Sequence, residues 1–598
     1  MRVIGFTVPN RTYLWDECSV SPASFPPYLR NLICLSILLG VVTYIFYPLL
    51  VLFPQLVAVS PYPDFLEFVW TSWRLDKVLT GTEPLYSTHL IFAPTGSSLL
   101  LHTISEGVLL PVSMVLYEFS PIWRINITFL VLAMMNMASL FSLMRRSKVS
   151  VVVALLLSIV IGVGPFVMGH IYAGHINFLI LFPLLEAIFG IHILLFGNRE
   201  EIRNLTVIRY LAALVLLPFT NLYYLYFFGL VAVFYSITYV WITFRNQQGS
   251  HGNFRGLLHR ALSRPCTVFI LTLFGCAPAI PHLFDVAALA LSRTYTRDHN
   301  PGAHAASLLQ YLSPSPLQQF YSVWETFLPL PAPSLHVGES ALYVPYSLLL
   351  LGGFFLMRRP AYCLGHKRHL LLAIIFFLVS FGPNVTIYNN VIIPNPIDWL
   401  FRAMFPLFPS VPARFGGLAS LFFILYVAGC TVQSTKREYC LLVAPLLILA
   451  CVEIFPVQII PHQLQDFTGL RELMTKSVNR EAINGVVVDI SVPAQSAMYR
   501  QTFHERMMVG GFLSRRPKQM ERILRRNSFA RFIRGEGEFT NEELVRAWCS
   551  LGGEILLMPL NPSNSQANVR LEQLGFSVIG SADDFGVLKR TAFACPLQ

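Results

Sequence analysis

Asp64, Glu67, Thr71 and Arg74 stand at i, i+3, i+7 and i+10 in the stretch that follows the first long apolar run. On a helix those spacings set two acids, a hydroxyl and a cation along one stripe. A carboxylate near an apolar boundary can have its pKa raised towards working pH, which suits a general base. Asp64 has that place and Glu67 is its nearest rival. The plainer reading of Asp64 is a first-turn acid that favours its own helix dipole. Four arginines, Arg293, Arg297, Arg402 and Arg414, could grip a leaving phosphate with the parallel bonds of a planar guanidinium. Arg414 opens a late apolar segment, where an interfacial anchor is the alternative. Arg293 and Arg297 fit a loop. His170, His175 and Asn177 share the short turn GHIYAGHIN. A separation of five is poor for two metal ligands on one helix. With His102 these residues could still meet a metal or hydrogen-bond a sugar, and capping of helix ends is the competing account. Glu106 and Glu339 begin apolar segments, where a dipole role competes with substrate binding. Glu186 falls near the middle of an apolar run, where a charge is costly unless paired or neutralised.

The element that must position the acids is a helix that runs to about Leu79, with Pro61 and Pro63 suited to its first turn. Trp70 and Trp73 fall on its other faces and suit a membrane surface. The helix gives way at Gly81 to a loop with Pro84, Pro94, Thr95 and Gly96, which carries His89 and ends near His102. Such a helix and loop could host chemistry or serve as a solvated connector.

Composition decides the class. The 598 residues are 54% hydrophobic and only 13% charged, whereas soluble chains carry about 25% charged residues. The mean hydropathy is +0.57. This is a membrane protein with many spans. Its net charge of +11 is therefore no sign of nucleic acid, since Lys and Arg collect in cytoplasmic loops of such proteins. No zinc-finger or Walker A pattern is present, and the ten Cys show no C-x-x-C.

Apolar stretches predict about eleven spans: 32–53, 121–144, 149–168, 178–196, 207–219, 224–244, 267–290, 342–357, 369–381, 415–430 and 440–460. The first is expected as an uncleaved anchor. Every short loop assigned inward carries a basic cluster, as at Arg145, Arg146 and Lys148, which places the amino end inside and the carboxyl end outside. From residue 461 the composition turns to that of a small α/β domain. GVVVDISV and EILLMPL are expected strands, and PKQMERILRRNSFARFI and NEELVRAWCSL expected helices, the latter capped by Thr540. VIGSADDFGVLKR closes it as a strand or hairpin. Cys549 and Cys595 belong to this part, as a disulfide or as free thiols.

The order of motifs carries a resemblance. D-F-L-E-F-V-W leads to G-T-E-P-L-Y, F-A-P-T-G and L-L-H-T. G-H-I-N-F, L-S-P-S-P-L, G-E-S-A-L-Y and V-P-A-R-F-G-G-L come later, and the tail carries Y-R-Q-T-F-H-E-R-M-M-V-G-G-F-L-S-R. This succession resembles bacterial membrane glycosyltransferases of the GT-C superfamily with a carboxyl-terminal extracytoplasmic domain, over nearly the whole chain. The resemblance implies a polytopic α-helical membrane fold over 1–460, with an outward loop at 60–120, and an α/β domain over 461–598. It implies a polyprenyl-phosphate-linked sugar donor, an envelope glycan, lipid or protein acceptor, and the bacterial inner membrane. In the superfamily an acid in the first outward loop is the usual base or acceptor-orienting group, and Asp64 matches that place. Two adjacent acids are frequent there, whereas this chain has Pro63-Asp64-Phe65. The number of catalytic carboxylates and a need for a divalent cation, Mg or Mn, stay open. Two rivals come from other classes. A transporter or flippase of a lipid-linked glycan predicts paired midplane charges and repeat symmetry. A non-catalytic membrane scaffold predicts that Asp64 is dispensable.

Overall fold

The computed structural model describes residues 26–591 apart from 53–54, 103–104, 199–201, 248–253, 293, 296–304, 328–337, 339–340, 359–365, 388–389, 405–410, 433, 435–437, 481–485, 490–492, 514–515 and 560–564. Arg293, Arg297, Glu339 and Cys595 lie outside the described residues.

Apolar composition and the need to satisfy backbone groups internally make the membrane part helical. In order come α1 (Pro27–Val51), α2 (Pro63–Leu79), α3 (Glu106–Val115), α4 (Pro121–Arg146), α5 (Val151–Gly162) and α6 (Pro165–Ala173). Then follow α7 (Ile176–Leu179), α8 (Leu181–Phe196), α9 (Asn204–Thr220), α10 (Leu222–Gln247), α11 (Phe254–Cys276) and α12 (Ile280–Leu291). Among the described residues, seven helices are long and apolar enough to cross a membrane. The other four apolar stretches are also helices, over Asn204–Thr220, Tyr346–Arg358, Lys367–Ser380 and 439–454, each 13 to 17 residues long. The protein is a multi-pass membrane protein.

The chain divides into two compact units. The first holds 1–46, 133–169 and 301–458. In it the helices Lys367–Ser380 and Arg414–Thr431 lie along each other, with Phe376 against Phe415 and Phe422 at ring distances of 5.9 and 5.7 Å. The glycines of V-P-A-R-F-G-G-L let other segments approach the second of these helices, since a Cβ on Gly416 would meet Tyr311 Oη at 2.6 Å and one on Gly417 the Phe166 ring at 2.6 Å. Glu453 is buried and accepts from Tyr346 N (2.6 Å), Ser347 N (3.1 Å) and Tyr343 Oη (2.7 Å). It thereby occupies the positive end of the helix Tyr346–Arg358.

The second unit holds 47–132, 170–300 and 459–598. Here the short strand β1 (Val57–Ala58) pairs antiparallel with a strand of the tail, His462–Gln463. Strands Ser87–Thr88 and Ser97–Ser98 fold the loop after α2 into a hairpin. The tail builds a four-stranded sheet in the order Val486–Val488, Gly553–Pro559, Phe585–Arg590, Phe576–Ala582, its first pair parallel and the rest antiparallel. Phe529, Trp548, Leu556 and Phe576 pack together in its core. Thr540 and Glu543 close a reciprocal cap, Thr540 Oγ1 accepting from Glu543 N at 3.2 Å and Glu543 Oε2 from Thr540 N at 2.8 Å. The expected single basic helix is two, Lys518–Arg526 and Ser528–Ile533, because Asn527 caps the second by accepting from Ala530 N at 2.9 Å. Cys549 is disulfide-bonded.

Candidate active site

Asp64 sits in the first turn of α2, directly after the Pro63 that starts the helix. Its carboxylate makes no cap bond to that helix. Side chains of two other segments hold it instead. His175 Nε2 lies 2.7 Å from Asp64 Oδ2, and Gln495 Nε2 donates to Asp64 Oδ1 at 3.3 Å. The chain of contacts continues, His170 Nδ1 being 3.0 Å from His175 Nδ1. A carboxylate only accepts, so His175 carries its proton on Nε2. Its Nδ1 then accepts from His170 Nδ1–H. His170 thereby orients His175, and His175 orients the Asp64 carboxylate. The spacing of five that suits no helix works here because Gly174 breaks α6 from α7 with φ +79°. That glycine also lets the turn reach α2, since a Cβ on it would stand 2.6 Å from Phe65 N. Ser60 Oγ, donating to Tyr172 O at 2.6 Å, ties the same turn to the segment before α2.

Glu67, one turn on, faces inward. Its side chain is 8% exposed against 38% for Asp64, and His102 Nε2 is 2.9 Å from Glu67 Oε1. Burial pushes the Glu67 carboxyl up, His102 pulls it back, and Asp64 raises it further. Of the two acids, Asp64 is the one within reach of an acceptor.

The remaining residues of the stripe build the frame. Arg74 is fully buried and donates to Pro84 O and Leu85 O, both at 2.8 Å, fixing the G-T-E-P-L-Y loop. Asp76 pairs with Arg124 of α4. Glu106 begins α3, and His282 Nε2 is 3.9 Å from its Oε1. Burial raises the Glu106 carboxyl to about 7, against bonds from a backbone N–H and Tyr86 and the attraction of Arg74. Asn177 is buried, and its backbone carbonyl accepts from Asn221 Nδ2 at 2.9 Å.

Trp70 and Trp73 correct the expectation of a membrane-facing pair. Both are buried in the second unit, where α2 packs on the tail helix Ala494–His504. Trp70 Nε1 donates to Gln501 Oε1 at 2.7 Å, and Gln501 Nε2 donates to Leu90 O and Arg506 O at 2.5 and 2.8 Å. The indole N–H finds its partner in protein, and Lys77 covers Trp73 at 4.7 Å. In the first unit Arg402 is bound by Asp398 through bonds of 2.6 and 3.0 Å, which fills its fork. Arg414 is half-buried at the start of its helix.

Among the described residues no group of three or more His, Cys, Asp or Glu is placed to hold a metal ion.

No protein-family model matches the sequence, and no curated protein matches it. Among solved structures the chain is similar to the arabinofuranosyltransferase AftD from Mycobacteria, with a TM-score of 0.55 and 10% identity over 94% of this chain and 40% of that one. The fold is GT-C-like. The chain spans about two fifths of the length of AftD. It is also similar to the oligosaccharyltransferase AglB from Archaeoglobus fulgidus in complex with an inhibitory peptide and a dolichol-phosphate (TM-score 0.45, 13% identity, 95% of this chain and 75% of that one). A third similarity is to ArnT from Cupriavidus metallidurans bound to undecaprenyl phosphate (TM-score 0.40, 12% identity, 94% and 98%).

Sequence reasoning passed over one residue that touches Asp64. Gln495 sits one position past the start of its helix, and nothing in PAQS marks it as a partner of a residue 431 positions earlier. Glu186 is paired with Arg209 of α9, Nε donating to Oε2 at 3.0 Å. The sequence signal was there, since a cation also interrupts the apolar run 207–219.

Proposed function

We propose that the protein is a membrane glycosyltransferase that moves a sugar from a polyprenyl-phosphate-linked donor to an extracytoplasmic glycan, lipid or protein acceptor. Its place is the bacterial inner membrane, with the amino end cytoplasmic and residues 461–598 extracytoplasmic. One observation carries the reading. A half-exposed aspartate stands in the first turn after the first span, each carboxylate oxygen held by a side chain from elsewhere, with a two-histidine chain behind it. The fold shared with an arabinofuranosyltransferase supports the class of reaction.

In this reaction the acceptor oxygen forms a bond to the anomeric carbon as the bond from that carbon to the phosphate oxygen breaks. The phosphate leaves with the electron pair. The acceptor proton passes to Asp64, whose other oxygen stays held by His175. Gln495 keeps the carboxylate aimed, so little reorganisation accompanies the proton transfer. The Glu186–Arg209 pair joins the neighbouring helices α8 and α9, and it is one paired charge of the kind the transporter reading predicts, away from Asp64.

The test is transfer in membranes supplied with labelled polyprenyl-phosphate sugars, comparing wild type with Asp64→Asn. Rate falls by about 10²–10⁴-fold, the usual worth of a general base, while expression and donor binding stay intact. Unchanged transfer in the variant removes Asp64 from the chemistry and moves the role to Glu67. Lipid movement across the bilayer with no transfer by wild type favours a flippase.

A further inference from the structure

The hairpin after α2 forms one wall of a cleft of about 830 Å³, within the second unit and apart from Asp64. Ligand pockets run from roughly 300 to 1,000 Å³, so the space suits an oligosaccharide of a few units. Six serine or threonine hydroxyls line it together with Tyr295, and His89, Lys518, Gln519 and Arg522 face the same space. No carboxylate lies among the described residues that line it. Lys518 and Arg522 stand one turn apart on the helix Lys518–Arg526, both exposed, and neither is bound by an acid among the described residues.

The rim is built in advance. Tyr295 Oη accepts from Ser98 N at 3.0 Å and bonds Ser97 Oγ at 3.2 Å, while Lys518 N donates to Thr294 O at 2.9 Å. Gly96, at φ +67°, turns the hairpin so tightly that a Cβ there would stand 2.5 Å from Thr88 O. The buried Arg74 holds the loop's other end. The three segments of the wall are therefore fixed relative to one another by hydrogen bonds rather than by a ligand. That lowers the ordering cost of binding.

We propose that this cleft binds an anionic saccharide, a glycan bearing uronate or phosphate groups. Hydroxyls that both donate and accept match sugar hydroxyls. Two adjacent cations without acids call for a negative charge on the ligand. Among the described lining residues the aromatic rings are Tyr295, whose hydroxyl is already engaged, and the His89 imidazole, and no Phe or Trp face is offered for base stacking. In the transferase reading the ligand is the acceptor chain, held while one end reaches Asp64.

Binding is measured directly on the full-length protein in detergent by calorimetry, with trigalacturonate, maltotriose and inorganic phosphate as probes. Trigalacturonate binds, maltotriose binds at least tenfold more weakly, and phosphate does not compete at equal concentration. Lys518→Gln with Arg522→Gln weakens trigalacturonate at least tenfold. Lys518→Arg with Arg522→Lys keeps it within about threefold, which separates charge from folding. Asp64→Asn binds as wild type. Equal binding of maltotriose, full competition by phosphate, or an unaffected double Gln variant overturns the proposal. A wild type that transfers sugar yet ignores trigalacturonate sinks this cleft and leaves the transferase reading standing.

Discussion

At the residue scale the chemistry rests on who touches Asp64. His175 donates to its carboxylate and keeps it aimed. His175→Ala therefore lowers transfer by about 10–100-fold with donor binding kept. Wild-type transfer by this variant contradicts the role. Glu106 supplies a pH effect. Its folded pKa of about 7 lies above its ordinary 4.5, so the folded state keeps the proton longer than the unfolded one. Stability on this account is highest below about 4.5, falls as pH rises to about 7, and is flat above. Glu106→Gln removes the slope, as thermal unfolding in detergent between pH 4 and 8 reads. The stripe of Asp64, Glu67, Thr71 and Arg74 was legible in the sequence because local spacing dictates it. The partners were not, because His175 and Gln495 come from 111 and 431 residues away.

At the element scale the GHIYAGHIN turn is what brings the histidines to α2. Gly174 combines a left-handed backbone with an approach to Phe65 N that leaves no room for a Cβ. Gly174→Val pushes the turn off α2, costs on the order of 1–3 kcal/mol in backbone strain, and lowers transfer at least tenfold with donor binding kept. Wild-type transfer by this variant shows that the turn has slack the packing does not suggest. The helix bearing Asp64 was readable to within a residue at its end, since Pro63 and the polar run to Leu79 fix its limits. The burial of its tryptophans was not. An indole suits a membrane surface and a protein groove for the same reason, an apolar body with one N–H to satisfy. Only the buried Gln501 amide decides between them. The two-helix break at Asn527 was missed because a continuous basic run hides a cap in its middle.

At the scale of the whole molecule, hydropathy located all eleven apolar stretches as helices, while four of them fall short of membrane length by residue count. Length alone does not decide how a short apolar helix sits in a bilayer. The proposed orientation rests on Arg145 and Arg146 at the end of α4 and Arg245 near the end of α10. Alkaline phosphatase fused after residue 598 is accordingly active and a fluorescent protein fused there is dark. The reverse pattern inverts the topology and removes the extracytoplasmic site.

The bond between Gln495 and Asp64 has a consequence in time. Ribosomes add about 5–20 residues per second, so a gap of 431 residues means that Asp64 waits roughly 20 to 90 s after its own synthesis for its last partner. During that interval the nascent chain has threaded its spans and exposed an aspartate that is not yet aimed. A truncated or stalled product would carry the carboxylate in the membrane without the groups that direct it. In the proposed transferase, competence thus arrives with the tail, and chains that lack it are expected to transfer no sugar.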